Sequence, residues 1–217
     1  MKRFDLLVFD WDGTLMDSAG AIVLSIQAAC GDLGLPVPSD AAASYIIGLG
    51  LNEALAELLP GLSVTQYAQL VERYRFHFLS RDHEIPLFEG VPAAIQELSD
   101  MGFLLAVSTG KSRRGLDRAF AYTDTGKYFH ASRCADESFS KPHPGMLLEL
   151  MDEMDVTPDK TLMIGDTTHD LQMAINAKVS GLGAAYGAHP KENLVALAPL
   201  DCLDNFTELH QWLKMHA

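Results

Sequence analysis

Two acidic residues follow a short apolar segment near the start of the chain. Leu6 to Phe9 is apolar, Asp10 and Asp12 come directly after it, and Gly13 breaks the pattern. The segment is too short for a helix and rich in strand-forming residues, so it predicts a buried strand with two carboxylates at its carboxyl end. Carboxylates in that position suit a divalent cation and a phosphoryl group. Taken alone, residues 10–14 also fit a simple Asp-Gly turn, and three later segments decide between the alternatives.

Hydroxyl and basic residues follow a second apolar segment, Phe103 to Val107. Ser108, Thr109, Gly110 and Lys111 stand there, just before a predicted helix. The unpaired backbone N–H groups and the dipole at a helix start favour an anion, so the segment predicts phosphate binding. A Ser or Thr helix cap is the commoner explanation of such residues on their own.

Two further segments carry charges that fit phosphate chemistry. Lys141 lies in the Pro-rich segment SKPHP and would bring a cation to a phosphate, although an isolated Lys is commonly solvated. Asp166 and Asp170, four residues apart, follow the apolar run Thr161 to Ile164 and suit Mg²⁺ as hard oxygen ligands. A helix-capping box explains one of these acids and leaves the other without a role.

The elements that must position these residues alternate between strand and helix after residue 86. This alternation predicts an α/β fold with a Rossmann-like, doubly wound parallel sheet. Residues 17–86 show helical spacing without a convincing strand, with Asp17 or Ser18 as the first helix cap, and predict an inserted all-helical domain. The core is then residues 1–16 and 87–217. Its predicted strands are 6–9, 103–107, 129–134, 161–164 and 182–186, and a terminal helix is predicted over 209–215.

The composition is that of an acidic globular protein. The chain has 217 residues, 48% of them hydrophobic, and a formal net charge of −13, which permits one core plus a small second domain. A surface of this charge disfavours nucleic acid and anionic membranes as partners. Cys30, Cys134 and Cys202 are far apart, indicate neither a disulfide framework nor a zinc site, and fit a reducing cytoplasm. No apolar run approaches membrane length.

The segment DWDGTL at residues 10–15 resembles the first motif of the haloacid dehalogenase superfamily, DxDGT(L/V). The segments around Thr109, Lys141 and Asp166 follow in the order of that superfamily's other motifs and extend the resemblance over the whole core. Gly110 is a departure, because relatives commonly carry Asn there. The pattern FDxDGTL(x)DS and a helical insert of about seventy residues are most similar to the phosphoglycolate-phosphatase-like branch.

The resemblance implies a role for each matching residue. Asp10 is the nucleophile that attacks phosphorus, and Asp12 protonates the leaving oxygen and later activates water. Thr109 and Gly110 bind the phosphoryl group, and Lys141 neutralises charge on it and on Asp10. The implied cofactor is Mg²⁺, with a ligand set drawn from Asp10, Asp12 (through its backbone carbonyl), Asp166 and Asp170. Without the positive charges of Mg²⁺ and Lys141, a carboxylate attacks a phosphate dianion poorly.

The implied function is an Mg²⁺-dependent phosphatase for a small phosphorylated metabolite, acting through an aspartyl phosphate, as a monomer or homodimer in the cytoplasm. A phosphomutase of the β-phosphoglucomutase type shares every catalytic residue and stays an alternative. A metal-independent 2-haloacid dehalogenase leaves Asp12, Asp166 and Asp170 without a role. A phospho-acceptor receiver domain leaves the helical insert unexplained. The sequence does not name the substrate, but the segment 45–52, with two glycines, predicts either a loop over the site or a simple turn between helices.

Overall fold

A sheet of six parallel strands forms the centre of the molecule in the computed structural model, which describes residues 2–217. The strands are β1 (Leu6–Phe9), β2 (Leu104–Thr109), β3 (Ala131–Cys134), β4 (Thr161–Gly165), β5 (Ser180–Ala184) and β6 (Cys202–Leu203). Their order in the sheet is β3-β2-β1-β4-β5-β6. The predicted Rossmann-like, doubly wound sheet is therefore confirmed. Because the strand order reverses between β1 and β4, the crevice expected to bind ligands lies at their carboxyl ends.

Helices cover both faces of this sheet. They are α5 (Val91–Asp100), α6 (Arg113–Thr123), α7 (Gly145–Met154), α8 (Thr168–Ala177), α9 (Lys191–Val195) and α10 (Phe206–His216). Leu7 and Phe9 of β1 join a buried cluster with α5, α6 and α10, whereas Leu6 and Val8 join a second cluster with α7 and α8. Alternate side chains of a strand point to opposite faces, which explains why all of β1 is apolar. None of the helices in the described range 2–217 combines the length and apolar character needed to cross a membrane.

Four helices lie between β1 and α5 in the chain: α1 (Ala19–Asp32), α2 (Asp40–Tyr45), α3 (Leu51–Leu58) and α4 (Val64–Leu79). They share a buried apolar cluster of their own, in which Ile26, Leu55 and Leu70 are almost fully buried. The two segments that connect this insert to the sheet run side by side. Asp17 N donates to Pro86 O and Phe88 N donates to Leu15 O, both at 3.0 Å. We propose residues 17–86 as a cap domain whose two connections form one paired hinge.

The structure differs from the predicted elements mainly near the carboxyl terminus. β5 begins and ends two residues before the predicted 182–186, and α10 begins at Phe206, where the Asn205 side chain accepts from Glu208 N (2.9 Å). The predicted strand 129–134 begins only at Ala131 because residues 126–128 form a helical turn. Helix α9 and strand β6 were not predicted. They contain five and two residues, too few to show a periodic pattern.

Removing packing inside the cap should destabilise the protein. We expect Leu55→Ala to lower the free energy of unfolding by about 2–5 kcal/mol, because Leu55 is fully buried in the cap cluster. The matched control is Leu24→Ala on α1, which is 61% exposed and should change this free energy by less than about 0.5 kcal/mol. Urea unfolding followed by circular dichroism measures both variants. Equal effects would contradict the assignment of Leu55 to a packed cap core.

Candidate active site

Polar residues meet at the carboxyl ends of three neighbouring strands. Asp10 follows β1, Thr109 ends β2, and Asp166 follows β4. In the register of the sheet Phe9 pairs with Val107 on one side and with Ile164 on the other, so the three strands end within two residues of the same level. This shared edge brings together residues that are distant from one another in sequence.

Three buried carboxylates gather at this edge. One oxygen from each of Asp10, Asp166 and Asp170 lies within 4.8 Å of the others, and all three residues are buried. Asp170 stands in the first turn of α8, where its carboxylate also completes a capping box with Thr167, accepting from the Thr167 backbone N–H at 3.1 Å. Asp170 therefore acts as a helix cap and as a member of the acidic cluster, so the two interpretations made from the sequence do not exclude each other.

Lys141 is buried between two of these acids. Its Nζ donates to Asp10 Oδ1 at 2.7 Å and to Asp170 Oδ1 at 2.6 Å. Burial disfavours the charged ammonium, but the carboxylates of Asp10 and Asp170 outweigh burial and raise the pKa of Lys141, so it stays protonated. A buried Lys held in this way is an ion-pair partner rather than the solvated side chain that an isolated Lys commonly is.

Asp10 keeps one free oxygen. Among the described residues no donor bonds its buried Oδ2 atom, while Oδ1 accepts from Lys141. Burial raises the pKa of Asp10, Lys141 acts in the opposite direction, and the charges of Asp170 and Asp166 raise it further. Burial and the charge of Asp170 likewise raise the pKa of Asp166 to about 7. Three acids near one ammonium, with an unbonded carboxylate oxygen, fit a divalent cation that takes oxygen ligands.

Glycines allow the backbone to approach these acids closely. Gly13 has a φ of +84°, and a Cβ there would lie 2.2 Å from Asp166 Oδ2. A Cβ at Gly187 would lie 2.3 Å from the same carboxylate oxygen. Asp166 is also fixed by Thr14 Oγ1, which donates at 2.7 Å, and by Ala188 N at 2.7 Å. Sequence reasoning missed the contribution of Gly187, because nothing in its local sequence connects it to an acid far upstream.

The carboxylate of Asp12 lies outside the cluster of three acids. Its Oδ1 accepts from Ser18 Oγ at 2.6 Å and from Lys111 Nζ at 2.8 Å. Ser18 is the N-cap residue of α1, one of the two predicted positions, but its side chain bonds Asp12 instead of the first turn of the helix. The metal contact assigned to Asp12 concerns its backbone carbonyl and stays a prediction. Lys111 was given no role from the sequence, and its position beside the acids of β1 gives it one.

Thr109 and Gly110 form the part of the site that faces the cap. Thr109 is buried, and its Oγ1 accepts from Lys111 N at 3.1 Å, which leaves the hydroxyl hydrogen free to donate. The cap loop 46–50 lies directly over Gly110, where a Cβ would be 2.4 Å from Leu49 O and 2.7 Å from Gly48 O. The segment predicted either as a loop over the site or as a turn is therefore both. Gly110 lacks a side chain where the loop needs the space.

Two histidines hold the start of this loop on the core. His169 Nε2 and His189 Nε2 both contact the backbone oxygen of Tyr45, at 2.8 Å and 3.0 Å. A carbonyl oxygen only accepts, so both Nε2 atoms carry hydrogen, and the remaining Nδ1 of His189 accepts from Thr168 N at 3.1 Å. The ring of Tyr45 stacks on His189, with centroids 5.2 Å apart and planes 6° apart. These contacts fix the cap against α8 beside the acids.

A cavity of about 500 Å³ lies between the cap and the strand ends. Asp10 and Asp12 form its floor, and Gly110 and Lys111 one of its sides. The cap contributes loop 46–50 and the side chains of α1, α3 and α4 that face the core. The cluster of acids therefore opens into a cleft large enough for a small-molecule substrate.

Comparison with known proteins agrees with this site. The family model for haloacid dehalogenase-like hydrolases matches residues 7–184. The chain is 32% identical to the probable phosphatase IndB of Dickeya dadantii (strain 3937), over 98% of this chain and 96% of the relative. It is 29% identical to a 5'-nucleotidase of Pseudomonas aeruginosa, over 99% of this chain and 97% of the relative. The fold superposes on a predicted phosphoglycolate phosphatase from Haemophilus somnus 129pt with a TM-score of 0.82, at 23% identity, over 97% of this chain and 98% of that one.

The chain belongs to the haloacid dehalogenase-like hydrolase family, and within it to the phosphoglycolate-phosphatase-like members. It is a phosphoric monoester hydrolase, as predicted. The receiver-domain and dehalogenase alternatives do not fit this assignment.

A side chain at position 110 should displace the cap loop and weaken catalysis. We expect Gly110→Ala to lower kcat/KM for p-nitrophenyl phosphate roughly tenfold or more, because the new Cβ would collide with two backbone oxygens of loop 46–50. The control is Gly20→Ala on α1, where a Cβ meets no atom within 4 Å. Steady-state kinetics and thermal unfolding of both variants separate lost activity from lost stability. Unchanged kinetics in Gly110→Ala would show that the loop position is not needed.

Proposed function

We propose that this protein is an Mg²⁺-dependent phosphatase that transfers the phosphoryl group of a small phosphomonoester first to Asp10 and then to water. The observation that carries this proposal is the state of Asp10. Lys141 holds its Oδ1, its Oδ2 has no partner among the described residues, and the residue borders the cavity. A buried carboxylate with one fixed and one free oxygen has the geometry of an oriented nucleophile.

The first half-reaction forms a bond between Asp10 Oδ2 and phosphorus as the bond from phosphorus to the leaving oxygen breaks. Lys141 offsets charge on Asp10, and the Thr109 hydroxyl donates to a phosphoryl oxygen. In this proposal the backbone around Gly110 completes the phosphate site. Positioning and charge stabilisation of this kind account for most of the catalysis in phosphoryl transfer.

Asp12 moves the protons in both half-reactions. Asp12 lines the cavity, and both of its hydrogen bonds, from Ser18 and Lys111, reach Oδ1, which leaves Oδ2 without a partner among the described residues. Oδ2 gives its proton to the leaving alcohol in the first step. In the second step it accepts a proton from the water that attacks phosphorus, and the bond from phosphorus to Asp10 breaks. Ser18 is at the start of the cap hinge, so closure of the cap and the orientation of this acid are linked.

The proposed Mg²⁺ ligands are the carboxylates of Asp10, Asp166 and Asp170, together with the backbone carbonyl of Asp12 that the family resemblance implies. Bound Mg²⁺ supplies positive charge that offsets the repulsion between these acids and a phosphate dianion. A phosphomutase of the β-phosphoglucomutase type uses the same residues and stays the alternative. It returns the phosphoryl group to a sugar, so release of inorganic phosphate distinguishes the two functions.

Mg²⁺ binding should strengthen as the pH rises. The pKa of Asp166 is raised to about 7, so below that pH its carboxyl is protonated and must lose a proton before it can bind a cation. We expect the Mg²⁺ dissociation constant to fall roughly fivefold from pH 6 to pH 7 and to level off above pH 7.5. Isothermal titration calorimetry at each pH, in two buffers of different ionisation enthalpy, measures the affinity and the released proton.

The matched controls for this titration are Asp166→Asn, which should abolish Mg²⁺ binding, and Asp152→Asn on the exposed side of α7, which should not affect it. A constant affinity across this pH range, or full turnover in the presence of a chelator, would contradict the proposed metal site.

Replacing Asp12 should separate the two half-reactions. The leaving group of p-nitrophenyl phosphate departs readily as an anion, so attack by Asp10 needs little help from an acid, whereas the second step still needs a base. We therefore expect Asp12→Asn to accumulate a covalent aspartyl phosphate. Acid-quenched mass spectrometry should find the phosphate on the peptide that contains Asp10.

Two controls accompany this experiment. Asp10→Asn should carry no phosphate, and Asp17→Asn, an exposed acid near the hinge, should turn over like the parent protein. Phosphate on another residue, or normal turnover by Asp12→Asn, would show that the roles of Asp10 and Asp12 are wrongly assigned.

A further inference from the structure

Much of the cavity extends beyond the groups that the phosphate needs. Its volume is about 500 Å³, and the reaction proposed above uses only the floor at Asp10 and Asp12 and the edge at Gly110. The apolar part of the remaining wall comes mainly from the cap, including Ile22 and Ile26 of α1, Leu49 of loop 46–50, and Tyr74 and Phe78 of α4. Charged side chains, Arg75, Arg114 and Arg118 among them, line the rest. An apolar wall of this extent gains free energy when an apolar surface of a ligand replaces water against it.

Two aromatic rings form one part of this wall. Tyr74 and Phe78 stand one turn apart on α4, with ring centroids 5.7 Å apart and planes 17° apart. Both rings line the cavity. Stacking turns one face of each ring toward the other, so a ligand meets the ring edges and the faces that remain, and an aromatic ring favours such edge or offset contact.

The aromatic wall begins beside the proposed proton donor. Lys111 Nζ lies 4.8 Å from the centroid of the Phe78 ring and donates to Asp12 Oδ1 at 2.8 Å. Asp12 gives its proton to the leaving oxygen, so the part of the substrate next to that oxygen is directed toward Phe78. The aromatic pair therefore borders the leaving group rather than the phosphoryl group.

The Tyr74 hydroxyl adds a polar contact to the same wall. It has no hydrogen-bond partner among the described residues, although its ring lines the cavity. Burial and the nearby charge of Asp12 raise the pKa of this phenol, which keeps the hydroxyl protonated at neutral pH. An unpaired donor beside an aromatic face can bond to a polar substituent of a ring that packs there.

We propose that the leaving alcohol of the substrate carries a flat ring, which packs against Tyr74 and Phe78. This inference rests on the proposed phosphatase function and specifies the class of substrate, a phosphomonoester of a ring-bearing alcohol. A two-carbon acid such as glycolate would leave the aromatic wall in contact with water. Binding energy from contact with this wall, away from the reacting centre, can orient the phosphoryl group for transfer.

A set of four substrates tests this class, because all of them release a primary alcohol and so differ mainly in the group attached to its carbon. Benzyl phosphate and uridine 5'-monophosphate carry a ring, whereas glycerol 3-phosphate and 2-phosphoglycolate do not. We expect kcat/KM for the two ring-bearing esters to exceed that for the other two by about tenfold or more. Preference for 2-phosphoglycolate would overturn the inference. It would indicate that the basic side chains of Arg75 and Arg114 at the cavity wall select the substrate.

Variants that remove a ring but keep apolar bulk test the wall itself. Phe78→Leu and Tyr74→Leu should each lower the ratio of kcat/KM for benzyl phosphate to that for glycerol 3-phosphate by roughly fivefold. Phe76→Leu is the matched control, because Phe76 lies on the same helix, is 59% exposed and does not line the cavity. Its ratio should equal that of the parent protein. An unchanged ratio in both cap variants would overturn the proposal.

Binding separates this inference from the proposed function. Asp10→Asn cannot form the covalent intermediate, so calorimetry with this variant measures affinity for benzyl phosphate and glycerol 3-phosphate without turnover. We expect tighter binding of benzyl phosphate, with the difference reduced by the added Phe78→Leu change. If no ester is hydrolysed by the parent protein, the proposed function fails while this comparison still tests the aromatic wall. Equal affinities would overturn the ring-binding inference even if the parent protein is an active phosphatase.

Discussion

The ion pairs of Lys141 are the interaction on which the rest of the site depends. A fully buried ammonium contacts Asp10 at 2.7 Å and Asp170 at 2.6 Å, with Asp166 part of the same cluster. Removing ions from water is costly, and only close geometry and further hydrogen bonds repay that cost. One ammonium does not balance three carboxylates, and burial together with the charge of Asp170 raises the pKa of Asp166. This imbalance is the physical basis for expecting a divalent cation.

Holding buried charges this close constrains the backbone around them. Gly13 and Gly187 approach the Asp166 carboxylate from two sides, and a Cβ at Gly165 would lie 2.3 Å from the carboxyl carbon of Asp170. Glycine at these positions lets peptide groups replace water around the acids. The carboxylate of Asp166 accepts hydrogen bonds from Thr14 and Ala188, which lie on the segments that follow β1 and β5. The sheet therefore supplies both the acids and the groups that solvate them.

The cap is connected to the same charges. Ser18, at the start of α1, bonds Asp12, and loop 46–50 lies over Gly110, so moving the cap would disturb the proposed acid and the phosphate site together. His169, which is next to Asp170 in the chain, and His189 both bond the backbone oxygen of Tyr45 and hold it against α8. The formal charge of −13 makes such local arrangement necessary, because only basic groups at the site, such as Lys111 and Lys141, attract an anionic ester toward an acidic protein.

The sequence by itself determined the strands that carry the site, the helical insert and four of the acids, since each depends on a local pattern of apolar, acidic and glycine residues. Asp10, Asp12, Asp166 and Asp170 were proposed as site residues in this way, and Lys141 through the family resemblance. Only the tertiary structure decided which oxygen each donor bonds, that Ser18 and Lys111 hold Asp12, that Gly187 lies against Asp166, and that Tyr74 and Phe78 line the cavity. These contacts join residues from β1, the cap and later strands. They depend on the strand order and on how the cap packs over the sheet, which a local pattern of residues does not encode.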